Sequence, residues 1–272
     1  MDHLQVFLDR HPDIMRIRIV QARGSAPRGV GTEMLVAGDT LHGTIGGGQL
    51  EYMAIDTARA MLRSERTTDR MDVPLGPEIG QCCGGRVEIE LRRLTDEARA
   101  EALRADARER SARPTVQIHG AGHVGRALAG FLAHLPVRAI LIDSREHELG
   151  LCEASVTLRL SALPEAELRA APPRSAFVVL THDHALDFLL TSEALARDDA
   201  AYVGMIGSAT KRAKLAGFIE SQSPRADIRK LTCPIGSTAS ADKRPEVIAA
   251  FVAAEIMEVL TTVTERQTRS VS

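Results

Sequence analysis

Aromatic residues are scarce in this chain of 272 residues, which has no tryptophan, two tyrosines and six phenylalanines. So small an aromatic set does not provide the stacking surface on which proteins hold single-stranded nucleic acid. The formal net charge is −2, so the chain also lacks the basic footprint of a general nucleic-acid binder. We therefore expect no nucleic-acid partner.

Long apolar runs are also missing, because no stretch approaching about 20 apolar residues is free of charged side chains. The first residues, MDHLQVFLDR, include acids and show no apolar core followed by small residues, unlike a secretory signal. We therefore expect neither a membrane span nor export, and we predict a cytoplasmic protein.

Cysteines are few, and their spacing matches neither a disulfide framework nor a zinc site. They are Cys82, Cys83, Cys152 and Cys233. Since no export signal is expected, we predict free thiols in a reducing compartment.

The residues that are present have the balance of a soluble globular protein, with 44% hydrophobic and 26% charged residues. Residues 115–272 alternate short apolar runs with helical patterns, which predicts a parallel sheet covered on both faces. Residues 1–92 alternate apolar and polar positions around one helix, which predicts a smaller α+β domain. The Ala-, Arg- and Glu-rich residues 93–114 predict a linker helix between the two domains.

A glycine fingerprint follows the first strand of the C-terminal half. The sequence HGAGHVG contains GxGxxG as Gly120, Gly122 and Gly125, and Asp143 ends the next predicted strand. This pattern is typical of dinucleotide-binding βαβ units, where the glycines admit a pyrophosphate and the acid binds a ribose. We therefore predict an α/β fold class, with a C-terminal Rossmann-like doubly wound parallel sheet and a smaller N-terminal α+β domain. His123 and Arg145 are further candidates to face the ligand.

Two later strands of the same half also end in polar residues. The run THDHALD places His182 and His184 where open α/β sheets bind ligands, and the turn after the next strand contains Gly207 and Ser208. The histidines resemble the HxHxDH run of metallo-β-lactamase-like hydrolases, but the acid comes one residue late and no histidine follows. We predict hydrogen bonding to a ligand here and assign no metal site.

The N-terminal half carries two more glycine loops and the cysteine pair. Gly46, Gly47 and Gly48 lead into a helix and predict an amide nest for an anion, which Arg28 could also reach; a pair of hairpin turns is the alternative. Cys82 and Cys83 lie in a glycine-rich turn, where a thiolate could act as a nucleophile, a sulfur carrier or a ligand to a soft metal.

The series GSAPRGVG, GTIGGGQLE, GPEIGQCCGG, GAGHVGRAL, DSR, THDHALD, YVGMIGSATKR, CPIG and KRPEVIAA resembles the XdhC/CoxI family of xanthine dehydrogenase accessory proteins over nearly the whole chain. The resemblance implies a protein that is not itself an enzyme. It would bind the molybdenum cofactor, a pterin dithiolene with a phosphate, support its sulfuration by a cysteine desulfurase, and insert it into apo xanthine dehydrogenase. The implied process is purine catabolism.

Other readings of the residues stay open. An NAD(P)-dependent oxidoreductase would use the GAGHVG loop and Asp143, a metal-dependent hydrolase would use His182, His184 and Asp187, and a pure protein adaptor would need no small ligand. The apolar helix near the C-terminus leaves a homodimer open. The carrier hypothesis expects the glycine loops and the thiol pair to meet at one cleft.

Overall fold

The structure is a computed structural model that describes residues 3–76, 84–222, 225–236 and 242–269. It divides into two compact units, Met1–Glu109 and Arg110–Ser272. Within the described residues, no helix is long and apolar enough to cross a membrane.

The N-terminal unit is an antiparallel sheet with helices on it. Its elements are α1 (His3–Arg10), β1 (Met15–Arg23), β2 (Glu33–Ala37), β3 (Thr40–Gly43), α2 (Gly48–Leu62), β4 (Thr68–Pro74) and β5 (Arg86–Arg93), followed by α3 (Asp96–Ala112). The strand order is β3-β2-β1-β5-β4. Alternate residues of β1, such as Met15, Ile17 and Ile19, pack with Leu50 and Ala54 of α2 in one apolar core. This is the alternation that a half-buried strand requires.

The C-terminal unit is a six-stranded parallel sheet with helices on both faces. Its elements are β6 (Thr115–His119), α4 (His123–Leu132), β7 (Arg138–Asp143), α5 (Glu146–Gly150), β8 (Thr157–Leu160), α6 (Pro164–Arg169), β9 (Ala176–Val179), α7 (His184–Ala196), β10 (Tyr202–Met205), α8 (Ala209–Gln222), β11 (Leu231–Thr232) and α9 (Pro245–Arg269). The strand order is β11-β10-β9-β6-β7-β8. This is the doubly wound order of Rossmann folds, and the predicted fold class is confirmed.

Both faces of the central strands are covered, which explains their unbroken apolar sequence. Val116 and Ile118 of β6 pack under α4 and α9, with Leu128 and Val252 among the neighbours. Phe177 of β9 lies in the core of the opposite face, below α6, α7 and α8. All five residues of β6 are buried. The apolar side of α9, which suggested a second copy of the chain, is thus buried inside this unit.

Candidate functional site

The parallel sheet brings the carboxyl ends of β6, β7 and β9 to one edge, where the strand order reverses between β6 and β9. A small cavity lies there and is lined by His119, Gly120, Ile142, Asp143, Ser144, Pro164, Thr181, His182, Leu186 and Leu190. Its volume of about 20 Å³ holds roughly one water molecule. The predicted site residues Gly120, Asp143 and His182 therefore share one cavity.

The three glycines of the fingerprint have different roles. A Cβ on Gly125 would lie 1.9 Å from the carbonyl oxygen of Gly120, and one on Gly120 would lie 2.4 Å from that of Leu180. Both glycines are therefore needed for close backbone packing. Gly122 has extended backbone angles, and no atom lies within 4 Å of the position of its Cβ. Nothing in the described protein requires glycine at 122, so this position leaves room for a ligand.

The N-terminus of α4 has no side-chain cap. Gly122 is the N-cap residue, and no described side chain accepts a hydrogen bond from the first amides of the helix. His123 is the first residue of the helix and is exposed. The unpaired amides and the positive end of the helix dipole together favour an anion. This terminus is therefore a candidate anion-binding position.

Asp143 and Arg145 form a closed pair at the end of β7. Oδ1 of Asp143 accepts from the backbone N and Nε of Arg145 at 2.9 and 3.0 Å. Oδ2 accepts from the amide of Ala121 at 2.7 Å and from Nη2 of Arg145 at 2.9 Å. Burial raises the pKa of Asp143, but the hydrogen bonds from Arg145 and Ala121 lower it by more than burial raises it. The pKa of Asp143 therefore lies below its ordinary value.

The four hydrogen bonds of Asp143 use the lone pairs that a ribose hydroxyl would need. An NAD(P) ribose would therefore have to displace Arg145 before it could bind Asp143 in the usual way. The side chain of Arg145 is about one-third exposed, and its charge is paired with that of Asp143.

The THDHALD loop is held from behind by an internal ion pair. Asp187 is fully buried, accepts hydrogen bonds from the amide and hydroxyl of Thr181 at 2.9 and 2.7 Å, and pairs with Nζ of Lys211. Asp183 caps α7 by accepting from the amide of Ala185. These contacts commit Asp187 to the loop and leave it unsuited as a metal ligand.

The two histidines of this loop, His182 and His184, are exposed. His182 lines the cavity, whereas His184 is the first residue of α7 and is not among the lining residues. In the part of the chain that the structure describes, no three His, Cys, Asp or Glu side chains are grouped so that they could hold a metal ion.

The turn after β10 is also largely structural. Ser208 precedes α8, and its hydroxyl accepts from the amide of Lys211 at 3.3 Å. A Cβ on Gly207 would lie 2.8 Å from Cδ of Lys211, so the glycine makes room for that side chain. Arg212 donates to the carbonyl oxygens of Leu231 and Ile228.

His119 is a site residue that the sequence reasoning missed. It is the last residue of β6, is 1% exposed and lines the cavity. Its Nε2 lies 3.0 Å from Oε1 of Gln117, while its Nδ1 is buried without a hydrogen-bond partner. Burial lowers the pKa of His119 to about 4. The available signal was a histidine at the end of an otherwise apolar strand, directly before the first glycine of the fingerprint.

In the N-terminal unit, the predicted anion nest is occupied by a side chain of the chain itself. The Glu51 carboxylate accepts from the hydroxyl of Thr44 and from the amides of Ile45 and Gly47, the latter two at 3.0 and 3.1 Å. Burial raises the pKa of Glu51, but hydrogen bonds from Thr44 and the loop amides lower it more, so the net pKa is lowered. A phosphate at these amides would meet the negative charge of Glu51.

The loop geometry explains the three glycines without a ligand. Gly46, Gly47 and Gly48 all have positive φ, which favours glycine. A Cβ on Gly46 would lie 3.4 Å from Cγ of Arg28, so the two predicted loops are adjacent, and Arg28 itself is exposed.

Two of the four cysteines, Cys152 and Cys233, lie within the described residues. Cys82 and Cys83 lie outside the described residues, so their role and the shared cleft stay predictions. Cys152 packs at the edge of the apolar core under α4 and α9. Burial raises the pKa of Cys233, while Arg212 and Lys211 act in the opposite direction.

The sheet order and the glycine loop define a domain of Rossmann type. Residues 116–256 match the XdhC Rossmann domain, and residues 8–73 match the XdhC and CoxI family. The chain belongs to this XdhC family, as its motifs predicted.

Two individual relatives extend the comparison. The chain is 26% identical over 250 residues to the uncharacterized protein YqeB of Escherichia coli K12, a match that covers 89% of this chain and 42% of that relative. The chain therefore spans less than half the length of this curated relative. A crystal structure described as a xanthine dehydrogenase from Bacillus halodurans matches with a TM-score of 0.79 and 17% identity over 95% of both chains. At that identity the likeness shows the fold alone.

Proposed function

We propose that this chain binds the molybdenum cofactor, supports its sulfuration and delivers it to apo xanthine dehydrogenase. Membership of the XdhC family supports the recipient, and the edge of the Rossmann sheet supports the binding of an anionic small molecule. In this proposal the chain is a cofactor chaperone and catalyses no reaction of its own.

The observation that carries the proposal is the open N-terminus of α4. The cofactor is a pterin dithiolene with a phosphate, and the unpaired amides that follow Gly122 suit that phosphate. The room at Gly122 lets the phosphate approach the backbone. The pterin would meet hydrogen-bonding groups on His119 and His182.

Sulfuration is assigned to the cysteine pair. We propose that Cys82 or Cys83 accepts sulfur from the persulfide of a cysteine desulfurase. The thiolate attacks the terminal sulfur of that persulfide, a new persulfide forms on this chain, and the cysteine of the donor leaves as a thiolate. In the sequence, Gly84 and Gly85 follow the pair directly.

Gly122→Asp tests the phosphate position. Asp is a preferred N-cap residue, and the backbone angles and space at residue 122 accept it. We expect the free energy of unfolding to stay the same or rise by about 1 kcal/mol. The new carboxylate would accept hydrogen bonds from the first helical amides and repel the phosphate. We therefore expect cofactor retention to fall at least about tenfold.

The measurement is anaerobic loading with cofactor released from a molybdenum hydroxylase, followed by assay of bound molybdenum and pterin. Gly122→Asn is the matched control, because it caps the helix without a charge and should retain more cofactor than Gly122→Asp. Unchanged retention in Gly122→Asp would contradict the assignment of the phosphate to this position. Retention at background level in the wild type would contradict cofactor binding itself.

The alternative function, an NAD(P)-dependent oxidoreductase, is tested on the same wild-type protein. Calorimetry with NAD⁺ and NADP⁺ measures whether a dinucleotide binds. Because Arg145 occupies the carboxylate of Asp143, we expect neither to compete with the cofactor.

A further inference from the structure

His119 is at the carboxyl edge of the parallel sheet, directly before the glycine loop. It ends β6 on the face of the sheet that packs against α6, and its neighbour on that face is Gln117, two residues earlier. Both side chains are buried. The imidazole is therefore held inside the protein at a residue that lines the cavity.

The hydrogen bonds of Gln117 fix the protonation of this imidazole. Nε2 of Gln117 donates to the carbonyl oxygen of Glu167 at 2.9 Å, so Oε1 of Gln117 is the atom that faces His119. That oxygen only accepts, and it lies 3.0 Å from Nε2 of His119. Nε2 of His119 must therefore carry the hydrogen. Burial keeps the ring neutral at physiological pH.

Nδ1 of His119 is then an unprotonated nitrogen with a free lone pair. It is buried and has no hydrogen-bond partner among the described residues. Buried polar atoms are nearly always paired, and an unpaired acceptor costs free energy. An acceptor without a donor, on a residue that lines a cavity at the switch point, indicates that the donor comes from a bound molecule.

We propose that Nδ1 of His119 accepts a hydrogen bond from a neutral N–H or O–H group of the bound ligand, and from a water molecule when no ligand is present. The cavity volume of about 20 Å³ limits this position to a single group. The inference rests on the proposed function, because it takes the Rossmann edge to be the cofactor site.

The proposal also orients the ligand. Amide donors at the N-terminus of α4 attract an anion, whereas the lone pair of a neutral imidazole repels one. A ligand with a phosphate at one end and hydrogen-bond donors at the other therefore binds with its phosphate towards Gly122 and a donor towards His119. The ring N–H and amino groups of a pterin are donors of this kind.

Two substitutions distinguish the roles of Nδ1 and Nε2 of His119. In His119→Asn the side-chain oxygen lies near the position of Nδ1 and keeps an acceptor there. In His119→Gln the amide group lies near the position of Nε2 and no acceptor remains at Nδ1. Both variants lose the ring, but only His119→Asn also leaves Oε1 of Gln117 without its donor, so we expect the larger loss of stability in urea unfolding for His119→Asn. Greater cofactor retention by His119→Asn could therefore not be explained by a more stable fold.

Retention of anaerobically loaded molybdenum cofactor is the first readout. We expect His119→Asn to stay within about threefold of the wild type and His119→Gln to retain about tenfold less, the effect of one hydrogen bond. Equal retention by the two variants, beside a wild type that retains cofactor, overturns this inference alone. A wild type that retains none overturns the proposed function and this inference together.

Nitrogen NMR of histidine-labelled protein is the second readout and needs no activity. In the ligand-free wild type at neutral pH we expect the signal of a protonated Nε2 and an unprotonated Nδ1. On loading, the Nδ1 signal should move in the direction of a stronger hydrogen bond. A protonated Nδ1 in the ligand-free protein, or an Nδ1 signal that loading leaves unmoved, contradicts the proposal.

Discussion

The two glycine loops that lead into α2 and α4 differ in what occupies their backbone amides. In the loop before α2, the carboxylate of Glu51 accepts from the amides of Ile45 and Gly47. In the loop before α4, the first helical amides receive no side-chain cap. One loop therefore carries its own anion, and the other is left to bind one.

This contrast shows that a glycine-rich loop before a helix is not enough to indicate an anion site. Both loops have the sequence features of a nest, and both were expected to bind the cofactor. The deciding feature is an acid that can reach back into the loop, as Glu51 does three residues after α2 begins. The first turn of α4 has no acidic residue.

The largest effect that tests this contrast is expected within the open loop itself. Gly125→Ala would place a Cβ 1.9 Å from the carbonyl oxygen of Gly120, whereas Gly122→Ala meets no atom within 4 Å. Because the clash at residue 125 is with a backbone carbonyl and cannot relax cheaply, we expect Gly125→Ala to lower the free energy of unfolding of the C-terminal unit by about 4 kcal/mol or more. Gly122→Ala should change its stability by less than about 1 kcal/mol.

Hydrogen exchange of the full chain measures both variants, because it localises the loss to the C-terminal unit. Similar protection in Gly125→Ala and Gly122→Ala would show that the glycines do not divide into packing and ligand positions.

The sequence predicts the strands of the C-terminal unit well because burial on both faces leaves a continuous apolar signal. The apolar run TVQIH coincides with β6, and the run VRAILID begins one residue before β7 (Arg138–Asp143). The short helices α5 and α6 were not predicted. They have five and six residues, too few for a clear helical repeat.

Polar elements of the N-terminal unit were also missed. Strand β4 buries only Val73 well, and its backbone ladder with β5 carries exposed charge pairs such as Asp72 with Arg86. Its sequence therefore lacks the apolar alternation that reveals a half-buried strand. Helix α1 has only eight residues, and its apolar contacts are made with distant parts of the unit such as Leu94.

The side-chain contacts of the site could not be predicted from spacing. The pairing of Asp143 with Arg145 and the linkage of Asp187 to Lys211 depend on side-chain directions that the fold sets. Sequence reasoning placed these residues at the carboxyl edge of the sheet, but it could not show which of them already pair with other side chains.

The second prediction concerns the pH dependence of the stability of the C-terminal unit, which contains the open loop. His119 is neutral in the folded protein, and its pKa falls from 6.5 to about 4. Between these values the unfolded chain binds more protons than the folded one, so stability is highest above pH 6.5 and is lost as the pH falls to about 4. A shift of this size corresponds to roughly 3 kcal/mol.

The measurement is the free energy of unfolding of the C-terminal unit at several pH values, by hydrogen exchange or urea. Asp143 also titrates at low pH, so the difference between the wild type and His119→Asn isolates the histidine. The exposed His134 gives the control His134→Asn, which should follow the wild type. A His119→Asn profile parallel to that of the wild type would contradict a neutral buried imidazole.

The third prediction concerns the filled loop and has the smallest expected effect. Glu51→Gln keeps an acceptor for Ile45 and Gly47 but removes the negative charge. Because hydrogen bonds to a charged acceptor are stronger than neutral ones, we expect the N-terminal unit to lose about 1 kcal/mol at pH 7. The folded pKa of Glu51 lies below 4.5, so its contribution is present above that pH and is lost as the pH falls below it.

Urea unfolding at pH 7 measures this loss, and the exposed Glu65 gives the matched control Glu65→Gln, which should be near neutral. Cofactor retention gives the sharper result. If Glu51 is the permanent occupant of its loop, Glu51→Gln retains as much cofactor as the wild type, because the phosphate is bound elsewhere. A variant that retains more cofactor would mean that this loop also takes the phosphate once the competing charge is removed, and the contrast between the filled and the open loop would be one of degree.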